Sequence, residues 1–236
     1  MKTILHTANS RGGADHGWLK AKHTFSFANY YDPDRIHFGA LRVINDDTIA
    51  PNRGFGTHPH DNMEIISLPL SGDLAHRDSM GNGSVIRYGD IQVMSAGTGI
   101  FHSEKNPNAD RNTQLLQIWV LPNQQNVTPR YQQLRLADNE KFNDFQQLVS
   151  PNPNDEGAWI HQNAWFNLAK FAPGTQKTYC LHGENQGVYA FVIRGKVEIS
   201  GVPLGERDGL GVWETTEIEV LAQSEAEILL MEVPMI

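Results

Sequence analysis

The sequence predicts an all-β protein with few short helices. Three observations carry this. Apolar runs are short, they are bounded by Gly or Asn, and the 21 Gly and 12 Pro of the 236 residues are spread as punctuation rather than gathered in a tract. Strands are expected over 63–70, 90–94, 115–121, 189–193 and 227–233, several of them too short for helices. Ser71-Gly72-Asp73, Gly81-Asn82-Gly83, Tyr88-Gly89-Asp90 and Arg194-Gly195-Lys196 read as the turns between them. The stretch 138–148 carries Phe142, Phe145 and Leu148 at a spacing of three. It reads as a helix, and a strand beginning near Phe145 fits equally well.

A boundary is expected between Leu121 and Glu156. Pro122-Asn123-Gln124-Gln125-Asn126 begins with a helix breaker and stays polar, and Pro151-Asn152-Pro153-Asn154-Asp155-Glu156-Gly157 is the most linker-like segment. The two sides share a faint repeat. Leu70-Ser71-Gly72-Asp73-Leu74 matches Ile193-Arg194-Gly195-Lys196-Val197 as strand, Gly turn, strand. A second Gly turn and apolar run follow in each, Gly89 to Met94 and Gly209 to Trp213.

Charge and composition narrow the function. Lys and Arg total 19 against 27 Asp and Glu, a net charge of −8, which lacks the basic stripe of a nucleic-acid binder. No run of about 18 apolar residues predicts a membrane span. Met1-Lys2-Thr3-Ile4-Leu5-His6 turns polar at once, unlike a secretory leader, so a cytoplasmic location is expected. The one cysteine, Cys180, excludes an internal disulfide and a Cys-based zinc knuckle, and it reads as a buried apolar residue. No Gly-x-Ser-x-Gly elbow and no phosphate-cradling Gly-x-x-x-x-Gly-Lys is present.

The histidines carry the chemistry. On a strand, residues two apart share a face, so His58-Pro59-His60 aims two imidazoles into one space. His102-Ser103-Glu104 repeats the spacing about forty residues on. Two such strands side by side would build a four-ligand site. Three imidazoles and a carboxylate suit Fe, Mn, Co, Ni or Cu, and zinc also binds such donors. Two positions of a six-coordinate ion would remain open for a substrate oxygen and a second small molecule.

Gly54-Phe55-Gly56-Thr57-His58-Pro59-His60, then Glu64, then Gly72, resembles the first cupin motif. Gly89-Asp90 through Ser95-Ala96-Gly97-Thr98-Gly99-Ile100-Phe101-His102-Ser103-Glu104 resembles the second. Within cupins the chain resembles the pirin family, by His-Pro-His, the Ser-Ala-Gly-Thr-Gly-Ile segment and the His-x-Glu. His23-Thr24-Phe25-Ser26-Phe27-Ala28 and Leu41-Arg42-Val43-Ile44-Asn45-Asp46-Asp47 match its bacterial branch. The resemblance implies a bicupin, two β-barrels packed face to face: a metal-binding domain over 1–121, a connecting segment over 122–157 and a metal-free domain over 158–236. It implies one divalent transition metal, iron first, held by His58, His60, His102 and Glu104. Bacterial members are similar to quercetinases, which open a flavonol ring with dioxygen and release carbon monoxide. Asp61-Asn62 stands where many pirins carry Arg-Gly.

On that basis Glu104 or Glu64 is the expected general base, with Glu64 on the same face as His60 if the strand is regular. Glu64 would otherwise orient a ligand from behind or sit as a buried charge. Aligning the Gly turns places Leu181 and Gly183 opposite His58 and His60, and Ala222 and Ser224 opposite His102 and Glu104. None of these is a good ligand. His182 lies near but alone. His76 falls outside the pairing scheme and reads as a surface residue, and His23 reads as core packing or cavity wall. His6, His16, His37 and His161 carry no constellation. Phe25, Phe27, Tyr30 and Phe55 are core residues or the lining of a cavity for a flat ring. Other readings are a metal- or redox-sensing module acting through a protein partner, or a cupin enzyme acting on another small metabolite.

Overall fold

The structure, a computed structural model, describes residues 1–136 and 140–236. It is built almost wholly of strands, with the 3₁₀ turn Ala8–Ser10 between the first two. All five expected strands are present, as Glu64–Ser71, Asp90–Ser95, Thr113–Val120, Gln186–Arg194 and Ala226–Pro234. Of the stretch with two readings, Asp138 and Asn139 lie outside the described residues, and Phe145–Ser150 is a strand.

The strands form two copies of one unit, a seven-stranded sheet facing a four-stranded sheet. In the first copy the large sheet runs Arg130–Arg135, Asp90–Ser95, Glu64–Ser71, Thr113–Val120, Leu41–Ile49, Leu19–His23, Gly12–Asp15. The small sheet runs Gly54–His60, Ile100–Lys105, Asp73–Asp78, Gly83–Arg87. In the second copy the large sheet runs Lys2–His6, Gly209–Trp213, Gln186–Arg194, Ala226–Pro234, Trp165–Phe171, Phe145–Ser150, Ala158–Trp159. Its small sheet runs Gln176–Cys180, Glu217–Ala222, Val197–Ile199, Val202–Leu204.

The repeated Gly turns carry the chain from large sheet to small sheet in each copy. Gly72 (φ 71°) and Gly195 (φ 84°) sit in left-handed backbone, and a Cβ there would lie 2.7 Å from Asn112 O and 2.1 Å from Glu225 O. Only glycine meets both demands without strain.

One strand crosses between the expected domains and two form within the expected connecting segment. Lys2–His6, first in the chain, pairs with Gly209–Trp213 of the second copy. Arg130–Arg135 pairs with Asp90–Ser95 of the first, and Phe145–Ser150 joins the second. Thus the first copy takes its outer edge from beyond Leu121, and the second takes its outer edge from the start of the chain.

Side-chain alternation on the two large sheets fills three spaces. Outward residues such as Ile44, Ile66, Leu68, Val93 and Ile118 meet Phe166, Tyr189, Phe191, Leu229 and Met231 in a shared core between the copies. The second barrel is filled by one apolar cluster that includes Val188, Ala190, Val197, Ile218, Val220 and Leu230. The first barrel differs. Its apolar residues split into a base of Leu19, Ile49, Leu74, Ile86 and Leu115, and a separate group of Ile65, Met94, Ala96 and Ile100. Buried polar residues are also present in this half, among them Asp47, Ser67, His76, Gln92, His102 and Glu104. Cys180 is exposed rather than buried, because strand alternation turns it to the outer face next to the buried Tyr179.

Candidate metal centre

The site is built on the small sheet of the first barrel. Gly54–His60 and Ile100–Lys105 are antiparallel neighbours, with His102 opposite His58 and Ile100 opposite His60. The register then slips by one residue, so Glu104 faces Phe55 across a bulge. A bulge bends its strand and re-aims side chains. The rings of His58, His60 and His102 converge, with centroids 4.9 Å (58 to 60), 4.4 Å (58 to 102) and 4.8 Å (60 to 102) apart. One ligand-type nitrogen from each lies within 4.8 Å of the others.

A second group shares His102. His76, His102 and Glu104, all buried, also offer ligand atoms within 4.8 Å of one another. The position of His76 corrects the expectation of a surface residue. It is 1% exposed, lies opposite Glu104 on Asp73–Asp78, and its Nε2 is 3.2 Å from Asp78 Oδ2. A signal was present, because Leu74, His76 and Asp78 alternate along a strand that begins just after Gly72.

The electrostatics favour cation binding. Burial pushes the His102 imidazolium down to about 3 and that of His60 to about 4, with neighbouring His58 adding to both shifts. Both rings are therefore neutral at neutral pH, the form that ligates. The His58 Nδ1–H donates to Gly56 O at 2.8 Å, since a carbonyl can only accept, which leaves Nε2 with a free lone pair. Both ring nitrogens of His102 are buried without a hydrogen-bond partner among the described residues. A buried imidazole lone pair with no donor near it fits a metal ion.

Glu104 is held from behind. Gln117 Nε2 donates to one carboxylate oxygen at 2.9 Å, and the Ser67 hydroxyl lies 3.2 Å from the other and 2.7 Å from Gln117 Oε1. Burial raises its proton affinity, while His76, Gln117 and His58 oppose that rise. Asp47 is a second buried acid, raised to about 7 by burial and by the neighbouring Asp46 and Glu104 carboxylates.

Glu64 is not brought to this cluster. The chain turns through Asn62 (φ 42°), so His60 ends a strand of the small sheet while Glu64 begins one of the large sheet. Glu64 shares parity with Ile66, Leu68 and Leu70, which face the second barrel. Its carboxylate accepts from Ser95 Oγ at 2.7 Å, and burial raises it to about 7 against the opposing pull of Ser95, Arg130 and His161. The expected shared face with His60 fails because strand parity does not survive the turn.

The second barrel carries apolar residues at the matching places. With Gly72 set on Gly195, His76 corresponds to Ile199. The cross-strand register then sets Ile218 and Val220, rather than Ala222 and Ser224, opposite His102 and Glu104. Tyr179 pairs with Ile218 as His58 pairs with His102, so Tyr179 and Leu181 replace Leu181 and Gly183 as the matching pair. His182 stacks on Trp165 at 4.2 Å, and its Nδ1 lies 2.8 Å from Glu232. His23 is buried with Nδ1 2.7 Å from Asn45 Oδ1, and His6 is buried with Nδ1 2.9 Å from the Tyr189 hydroxyl. Of the candidate lining residues, Phe25 lies in the core between the barrels, Phe27 meets Trp119, Tyr30 meets His23, and Phe55 meets Trp18 and His58.

Two stacked cupin-type barrels, one with a polar interior that gathers three histidines beside a glutamate, define the class. The pirin family profile matches residues 5–120, and that of the quercetinase C-terminal cupin domain matches 147–233. The chain is 44% identical over 230 residues to quercetin 2,3-dioxygenase of Escherichia coli (strain K12), covering 98% of each. It is 42% identical to a pirin-like protein of Caulobacter vibrioides, covering 94% of this chain and 95% of that one. Its fold matches the crystal structure of bacterial pirin YhhW from Escherichia coli in complex with nickel(II), with a TM-score of 0.95, 42% identity and 100% of each chain covered. The chain belongs to the pirin family.

Proposed function

We propose that this chain is a dioxygenase that opens the heterocyclic ring of flavonols such as quercetin and releases carbon monoxide, with one divalent transition metal held by His58, His60, His102 and Glu104. The observation that carries the reading is the convergence of three imidazoles inside a barrel, with the buried Glu104 carboxylate on the same strand as His102. The 44% identity to a quercetin 2,3-dioxygenase and the nickel(II) complex of YhhW support it. Iron is the metal proposed, the domain over 1–121 is its seat, the domain over 158–236 covers it, and a cytoplasmic location completes the reading. No helix among the described residues is long and apolar enough to cross a membrane.

When bound, a divalent ion would supply positive charge that lowers the pKa of the flavonol 3-hydroxyl. The chain does the rest. His58 presents Nε2 because Gly56 fixes its tautomer, and His60 and His102 stay neutral. Glu104, steadied by Gln117 and Ser67, receives the hydroxyl proton as general base. Ile65, Met94, Ala96 and Ile100 form a dry wall that excludes water. Glu64 faces the other barrel and has no part in the proton transfer.

His60→Ala tests the reading. Elemental analysis of protein purified without added metal, together with carbon monoxide release from quercetin under oxygen, is expected to show metal and ring opening lost together. Full turnover by a metal-depleted His60→Ala variant overturns the proposal.

A further inference from the structure

We infer that Trp119 is a positioning residue for the ligand of this centre: its indole N–H donates to a ligand oxygen that neighbours the oxygen held by the metal. The inference rests on the metal-centre reading above and deepens it by naming the ligand class, a small or planar molecule with two adjacent oxygens, as in a hydroxyketone or a hydroxamate.

Strand alternation sets the place of Trp119. Along Thr113–Val120, Leu115 packs in the apolar base of the barrel, Gln117 reaches Glu104, and Trp119 is next in the same row. Its ring stands edge-on to His60, centroids 4.9 Å apart at 82°, and edge-on to Phe27 at 5.3 Å and 85°. It packs with Met63 against Ile65, Met94, Ala96 and Ile100. Two aromatic neighbours thus fix the plane of the indole before any ligand enters, which is the condition for a preorganised donor.

The indole Nε1 is buried and has no hydrogen-bond partner among the described residues. Buried tryptophan N–H groups normally find an acceptor, because leaving one unpaired forfeits its hydration with no return. The apolar side chains around the ring offer none. An oxygen carried beside His60 by a metal-bound ligand would fill that need. A ligand with one oxygen serves the metal alone, whereas a ligand with two adjacent oxygens serves the metal and the indole.

Cobalt-substituted protein gives a visible spectrum for the test, with acetohydroxamic acid as the two-oxygen probe and azide as a probe without oxygen. Two variants are compared with the wild type: Trp119→Phe, and an isosteric form in which sulfur replaces the indole N–H of Trp119. The expected result is unchanged cobalt content in both, an acetohydroxamate dissociation constant raised about tenfold, and unchanged azide affinity. Equal acetohydroxamate affinity in all three proteins overturns the assignment. So does loss of cobalt from the isosteric form, which would make Trp119 a mere support for His60. A wild-type chain that binds no cobalt overturns both this inference and the metal-centre reading. Carbon monoxide release is scored separately: a wild type that shows the Trp119 effect and opens no flavonol ring sinks the dioxygenase reading alone.

Discussion

Glu104 and His76 face each other across the antiparallel pair Ile100–Lys105 and Asp73–Asp78, both buried, with Asp78 in turn 3.2 Å from His76. This places a fourth imidazole at the edge of the proposed ligand set. His76→Ala is expected to lower metal affinity by about 10–100-fold, the usual effect of removing a group that supports a ligand, while one ion per chain still binds at saturation. Competition with a chromogenic chelator measures it, and unchanged affinity would reduce His76 to packing.

Gln117 bears on pH. Its amide donates to Glu104 and favours the ionised carboxylate. Gln117→Leu removes that donor, so Glu104 holds its proton to higher pH. The pH of half-maximal metal uptake is expected to move upward, measured by metal titration between pH 5 and 8, a range chosen to span roughly the ordinary histidine pKa. A downward move would contradict the contact.

Glu64 makes a separate claim on stability. Its folded pKa is raised from 4.5 to about 7, so the folded state binds the proton more tightly than the unfolded chain. Its favourable contribution is full below pH 4.5 and is lost as pH rises through about 7. Glu64→Gln abolishes that loss. Relative to wild type, the variant should gain up to about 3 kcal/mol between pH 4.5 and 8, at 1.36 kcal/mol per unit. Urea unfolding at several pH values reads the difference, and parallel curves would show that Glu64 titrates normally.

The buried pair of His6 and Tyr189 ties the first strand to the second barrel, with 2.9 Å between Nδ1 and the hydroxyl. Tyr189→Phe keeps the ring and leaves His6 Nδ1 without its partner. The expected cost is about 1–3 kcal/mol, seen as a lower denaturant midpoint at unchanged slope.

Much of the site is legible in the sequence because period two is a local rule. His58, His60, His102 and Glu104 are each paired with a neighbour two residues away; one sheet register brings the three histidines together, and Glu104 groups with His102 and His76 beyond a bulge. Glu64 reads wrongly because the same rule was carried across Asn62, where the backbone turns and the parity count begins again. His76 is harder to read: the alternation of Leu74, His76 and Asp78 points it inward, but only the pairing of that strand with Ile100–Lys105 sets it opposite Glu104. Ser67, Gln117 and Trp119 carry no ligand signature at all, and their roles rest on facing the barrel interior. The two-barrel plan is readable from the Gly72 and Gly195 turns. The edge strands are not, since Lys2–His6 finds its partner Gly209–Trp213 nearly the whole chain away.

That last pairing ties the start of the chain into the second barrel. A fragment of residues 1–121 would lack Arg130–Arg135 and present Asp90–Ser95 as a raw border, and a fragment of 158–236 would do the same with Gly209–Trp213. Bare sheet borders recruit other chains. With a shared core and an exchanged edge strand, the molecule should melt as a single body rather than barrel by barrel.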